Sequence, residues 1–193
     1  LAIQITVNDL ASAGAEPIGV MLTVLLPEYI EEPDLRRMMA QVEAACAKAG
    51  VQVMGGHTEV TAVVNQPVIT VCGVGKVKDG ALVSTAGARC GMDILVTKWI
   101  GIEGTSILAK EREEELCTRF SAPFVEKAKR LDAFISVLPE AEVAVQSGVS
   151  AMHDVTEGGI FGALWEMAEA SGVGLEIDLK RIPSRQETVE VCE

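Results

Sequence analysis

Apolar positions recur along the chain with two periods, and the change from one to the other marks the elements. Residues 1–13 mix small and apolar side chains around a polar Asn8–Asp9 pair, which predicts a helix ended by Gly14 and Pro17. Residues 18–26 form the longest apolar run, interrupted by Thr23 and closed by Pro27, and read as a buried strand. Over 33–49, Leu35, Met38, Met39, Val42, Ala45, Cys46 and Ala49 return at helical spacing. Asp34 sits in the first turn of that helix and Gly50 follows as a stop. Residues 51–54 predict a short strand running into Gly55–Gly56. Residues 68–77 predict another, ending in the turn Lys78–Asp79–Gly80.

The small, polar stretch 84–91 reads as a boundary and divides the chain into 1–84 and 85–193. The second part opens with a predicted strand over 93–99. Gly101 and Gly104 then lead into a helix whose charged stretch 110–115 reads as a solvated face. Helices are predicted over 122–134 and 140–147, and a short strand over 151–154. Gly158–Gly159 opens a further helix that Gly172 ends, a strand follows over 173–179, and another helix begins near Ser184. Strands and helices alternate, so the class is α/β, or α+β in the looser sense. The polar residues of interest fall at the junctions, where ligand sites of such proteins gather.

Composition narrows the chemistry. The formal net charge of −12 disfavours nucleic acid and anionic membranes as partners. It leaves room for ATP, because backbone amides and a divalent cation hold phosphates without a basic surface. The five cysteines form no CxxC pair and two histidines are too few for a histidine-rich zinc cluster, so reduced thiols in a cytoplasmic protein are expected. No stretch reads as a signal peptide or is apolar for long enough to cross a bilayer. The chain opens on Leu1 without an initiator Met, as it would if it began inside a larger protein or had been processed.

Three motifs can carry chemistry. In Asn8–Asp9–Leu10–Ala11 a carboxylate stands in an apolar helix, either as a surface pair or cap or as a magnesium ligand beside phosphate oxygens. In Gly55–Gly56–His57–Thr58–Glu59, two glycines after a strand let the backbone approach a ligand, or simply turn it. In His153–Asp154–Val155–Thr156–Glu157–Gly158–Gly159 a strand passes into a helix whose N-terminus offers free N–H groups to a phosphate. The competing reading there is a plain cap made by Asp154 or Thr156. GxGxxG and GxxxxGK[ST] are both absent, so neither a Rossmann dinucleotide site nor a P-loop is supported.

Taken together and in this order, TVNDLASAGAEPIG, VQVMGGHTEV and SAMHDVTEGGIFGALWEMAEASGVGLEID resemble the motifs of the aminoimidazole ribonucleotide synthetase (PurM-like) superfamily. Its members include selenophosphate synthetase, thiamine-monophosphate kinase and the hydrogenase maturation protein that dehydrates a carbamoyl thioester, and the resemblance is strongest to that last branch. It implies a two-domain PurM-like architecture in which N-terminal strands of two subunits pair into a barrel. The chain would be truncated at both ends, with residues 1–84 in the ATP-binding, dimerising domain and 85–193 in the C-terminal one.

The resemblance implies an enzyme that uses ATP and Mg2+ to phosphorylate an oxygen of an amide, acid or thiocarbamate, as a dehydratase, ligase or kinase would. The substrate would be a small molecule or a thiocarbamoyl-bearing protein. Asp9 and Asp154 would be metal ligands. Asn8, Gly55, Gly56, Thr58, Thr156, Gly158 and Gly159 would line the nucleotide. Asp154 and His57 would be catalytic. This segment alone would bind ATP weakly or not at all.

Two positions depart from the hydrogenase-maturation pattern. Glu59 stands where that branch has lysine, in Gly-Asp-Thr-Lys, and Glu157 where it has arginine. Two cationic positions are thus acidic, which should change the substrate or the phosphate geometry. A purine-pathway cyclisation, or a nucleotide-binding assembly partner without turnover, remain open alternatives. Cys192 is not equated with the carbamoyl-bearing C-terminal cysteine of that branch.

Overall fold

The computed structural model describes residues 1–80 and 82–193. Helix α1 (Ala2–Ser12) leads into strand β1 (Glu16–Leu26), helix α2 (Glu32–Ala49), and strands β2 (Gln52–Val60) and β3 (Val68–Lys76). The strands form one sheet in the order β2-β1-β3. β1 runs parallel to β2, with α2 as the crossover such a pair requires, and antiparallel to β3.

β1 organises the core because its side chains alternate. Val20, Leu22, Val24 and Leu26 are buried against Ile3 and Val7 of α1 and Val42 and Cys46 of α2. Each such side chain contributes about 1.5–3 kcal/mol on burial. The opposite face of the sheet is open: Met21, Val68 and Val74 are 45%, 40% and 39% exposed. α2 follows its predicted periodicity except at Met39, which is exposed, and closes on Gly50 in the left-handed conformation.

The glycine pair corrects the sequence reading. Gly55 and Gly56 do not end a short strand, because β2 runs through them to Val60. Val20 pairs with Val53 and Met21 with Gly55, so Met54 is the extra residue of a bulge. Gly56 has φ +144°, and a β-carbon there would lie 1.8 Å from the Leu22 carbonyl oxygen. Its missing side chain is therefore used for the close approach of β1.

The second half is helical: α3 (Ile102–Glu111), α4 (Glu113–Arg119), α5 (Ala122–Lys129), α6 (Leu138–Gln146), α7 (Gly159–Ser171) and α8 (Gln186–Cys192). Ala109, Leu116, Val125 and Ala128 form its buried cluster, with Phe120 and Val191 packed on it. The strands predicted over 93–99, 151–154 and 173–179 form no β-ladder among the described residues; Lys98 has φ 57° and Leu179 opens a 3-10 turn. The predicted helix over 122–134 divides, ending as α5 at Lys129 and continuing as a 3-10 turn over Arg130–Phe134. All five cysteines are free thiols, with only Cys46 buried.

The segment read as a boundary is pinned down. Thr85 Oγ1 donates to the Met152 carbonyl (3.3 Å), and Ser171 Oγ donates to Thr85 O and accepts from Ala88 N (both 3.1 Å). Gly87 lies under Ser150, where a β-carbon would meet the carbonyl oxygen at 1.7 Å. These contacts hold the strand-like segment that carries Asp154 against the start of the second half.

Candidate functional site

Helix α1 brings three polar side chains to its C-terminal half. Asn8 is 5% exposed, and its amide makes three hydrogen bonds. Its Oδ1 accepts from Gln4 Nε2 (2.9 Å) and Val137 N (3.0 Å), and its Nδ2 donates to Ile135 O (2.9 Å). The amide thus serves the C=O of one residue and the N–H of the second residue on, as a neighbouring strand would. Asn8 anchors α1 to the lead-in of α6 through these bonds, which use one of its two Nδ2 hydrogens.

Asp9, the next residue, is exposed on the side where Asp154 arrives. Burial, then the charge of the neighbouring Asp154, push the Asp9 carboxyl above the usual carboxylate range. Glu157 adds to this and His153 partly offsets it. Ser12, one turn further along α1, shares its one hydroxyl proton between Asp9 O (3.0 Å) and Asp154 Oδ1 (3.2 Å). Two motifs far apart in sequence therefore meet as a carboxylate pair.

The Asp154 side chain is only 9% exposed. Its Oδ2 is buried and has no hydrogen-bond partner. Beside it, the His153 Nδ1 lies 2.6 Å from Asp154 O, and the His153 Nε2 lies 2.6 Å from Glu166 Oε2 of α7. The N-terminus of α7 is open. Gly158 takes the N-cap position with φ 78°, and no side chain caps the helix. The plain-cap reading of Asp154 and Thr156 is thereby overturned: Thr156 is exposed and serves Gly159 N only through its carbonyl (3.0 Å). Asp154, Thr156, Gly158 and Gly159 thus flank one helix end that has free N–H groups and a positive dipole.

The second motif lies elsewhere. His57 pairs in register with Thr23 and Glu59 with Leu25, on the open face of the sheet. His57 Nε2 is 3.4 Å from Glu59 Oε2, and Thr58 is exposed on β2. Among the described residues no hydrogen bond or ion pair joins His57, Thr58 or Glu59 to Asp9 or Asp154. Within one chain the structure brings together Asp9 and Asp154 with the Thr156–Gly159 turn, and leaves Gly55–Glu59 on a separate strand.

Two contributors went unread in the sequence. Ser12 stands three residues after Asp9, hence on the same helix face, which is the signal that finds it. Glu166 reaches His153 from the second turn of α7, and no local pattern marks it.

A carboxylate pair with Asp9 exposed, Asp154 nearly buried and, among the described residues, only His153 nearby as a possible counter-charge suits a hard divalent cation. Among the described residues no group of three or more His, Cys, Asp or Glu is arranged to hold a metal. Magnesium binds through one or two carboxylates and completes its shell with water and phosphate, a role that a pair of this kind can fill. The orphaned Asp154 Oδ2 is the atom such an ion would satisfy.

The family model described as AIR synthase related protein, N-terminal domain, matches residues 1–77, and that described as AIR synthase related protein, C-terminal domain, matches residues 89–192. Carbamoyl dehydratase HypE of Cupriavidus necator is 33% identical over 198 residues, covering 100% of this chain and 53% of the relative. The crystal structure of a HypE–HypF complex matches with a TM-score of 0.82 at 26% identity, over 99% of this chain and 61% of that one. A crystal structure of HypE in complex with ATP matches with a TM-score of 0.82 at 25% identity, over 99% of this chain and 55% of that one. The chain spans about half the length of the curated relative. No helix among the described residues is long and apolar enough to cross a membrane.

Proposed function

Because the chain belongs to the AIR synthase related family, we propose that the whole protein is an ATP-dependent enzyme that phosphorylates a substrate oxygen. The substrate class is an amide, acid or thiocarbamate, on a small molecule or a protein, and the setting is the cytoplasm. The observation that carries this reading is the meeting of Asp9 and Asp154 beside the uncapped start of α7.

In this reading Asp9 and Asp154 hold Mg2+. Bound there, the ion supplies charge neutralisation for the terminal phosphates of ATP. The uncapped start of α7 at Gly158 and Gly159 lets phosphate oxygens approach the backbone, with the Gly159 N–H held by Thr156 O and the Gly158 N–H available to donate. Asn8 contributes indirectly, by holding α1 in place so that Asp9 faces Asp154. Residues 1–84 act as the ATP-binding part and 85–193 as the second domain.

Two copies pair through the open sheet face that carries Met21, Val68 and Val74. Pairing covers that apolar surface and brings Gly55, Gly56, His57, Thr58 and Glu59 into the nucleotide cleft. His57 then has a place near the reacting groups that one chain does not provide.

The test uses purified full-length protein with Mg2+ and ATP, with and without an S-carbamoyl peptide. ADP release that depends on the peptide supports the enzyme. ATP binding without turnover, across acid, amide and thiocarbamate substrates, supports an assembly partner instead. That second reading is favoured by Glu157, whose charge adds to the negative field on Asp9 where the related branch has arginine.

A further inference from the structure

Ser12 touches both halves of the chain. Its hydroxyl lies 3.0 Å from Asp9 O and 3.2 Å from Asp154 Oδ1. A hydroxyl bonded to the carbonyl three residues back is a common local contact and needs no partner elsewhere. The contact with Asp154 joins residues 142 apart in sequence. It also makes the two oxygens of that carboxylate unequal. Oδ1 is tied to α1, while Oδ2 is buried without a partner.

The terminal torsion of an aspartate is broad and roughly two-fold, so an untethered carboxylate does not fix its own plane. A hydrogen bond to one oxygen does. We infer that Ser12 is a positioning residue, whose hydroxyl sets the plane of the Asp154 carboxylate and thereby directs Oδ2 at the divalent cation. The inference rests on the reading of Asp9 and Asp154 as the cation site. Ser12 touches neither the ion nor the nucleotide; it acts through Asp154, as outer-shell partners of metal ligands do.

The probe is Mn2+ in place of Mg2+, titrated into the full-length protein with a non-hydrolysable ATP analogue. Free Mn2+ is read by electron paramagnetic resonance. Ser12→Ala is expected to weaken Mn2+ binding by about tenfold, the low end for loss of an outer-shell partner. Ser12→Thr keeps the hydroxyl and is expected to keep wild-type affinity. The affinity for the analogue at saturating Mn2+ should change little in either variant.

Wild-type Mn2+ affinity in Ser12→Ala, while Asp154→Asn loses it, overturns the inference and spares the cation site. Equal weakening in Ser12→Ala and Ser12→Thr, with equal falls in melting temperature, shows a purely structural role and also overturns it. Unchanged Mn2+ affinity in both Asp9→Asn and Asp154→Asn removes the cation site itself, and this inference with it.

Discussion

Asn8→Ala removes one side chain and disconnects two distant segments. Three hydrogen bonds are lost: those from Gln4 Nε2 and Val137 N to Oδ1, at 2.9 and 3.0 Å, and that from Nδ2 to Ile135 O, at 2.9 Å. Gln4 is only partly buried and its amide can turn to water. The other two bonds leave Val137 N–H and Ile135 C=O with no replacement partner inside the contact. Each net hydrogen bond is worth about 0.5–1.5 kcal/mol, and each buried polar group left unpaired costs about 1–3 kcal/mol. With partial solvation of the exposed backbone, a loss of about 2–4 kcal/mol is expected. Denaturant unfolding of the full-length protein, extrapolated to water at constant slope, measures it. Gln4→Ala is the control and should cost less than about 1 kcal/mol. If Asn8→Ala stays within about 0.5 kcal/mol of wild type, the tether is not a stabilising contact and the argument for how Asp9 is aimed fails.

Asp9→Asn should stabilise the metal-free protein at neutral pH by about 0.2–1 kcal/mol, the small range allowed by solvent screening of an exposed pair. The sign follows from the raised carboxyl: its ionised form is disfavoured in the folded state, so the cost is present above the folded pKa and is gone below the ordinary value near 3.9. The advantage of the variant should therefore vanish on acidification, and thermal melts across pH will show a reversed trend if the pair is not repulsive. The same variant should lose most of the stabilisation that Mg2+ with ATP confers. The two glycines of β2 should respond differently. Gly56→Ala forces a β-carbon to 1.8 Å from Leu22 O at φ +144° and should cost about 3 kcal/mol or more, whereas Gly55→Ala meets no atom within 4 Å and should be mild. Equal losses in denaturant unfolding would contradict this. Sedimentation equilibrium of the full-length protein at micromolar concentration should give a dimer, and Met21→Arg on the open sheet face should shift it to monomer; a wild-type monomer would refute the pairing.

Much of the first half could be read from pattern. β1 is buried on one face only, and α2 places Val42 and Cys46 on its inner stripe, so local periodicity and tertiary burial agree. The second half was harder, for a physical reason. Val173, Leu175 and Ile177 are half-buried while Gly174, Glu176 and Asp178 are exposed, which is a strand's alternation. Yet alternation reports only an extended chain and cannot supply the neighbour that makes a ladder. The glycine pair misled for a related reason: glycine marks a close approach without saying whether a ligand or another strand is approaching. In the site, Asp9 and Asp154 were legible as acids at element ends. Asn8 was not legible as a tether, because its partners Ile135 and Val137 contribute backbone atoms, which carry no sequence signature.

The Asn8 contact has a kinetic consequence. It spans 127 residues to Ile135 and 129 to Val137. Contacts of such separation are closed against loop entropy before they return any stabilisation, so they tend to form late. Helices α1 and α2 with β1–β3 can collapse around their own core first, while Asp9 still has no opposing carboxylate. The Val137 amide proton, held by Asn8 Oδ1 alone among the described residues, then becomes a clock for completion of the site. In pulse-labelling during refolding it should gain protection after the β1 amides, and in native-state exchange it should open at a lower free energy than they do.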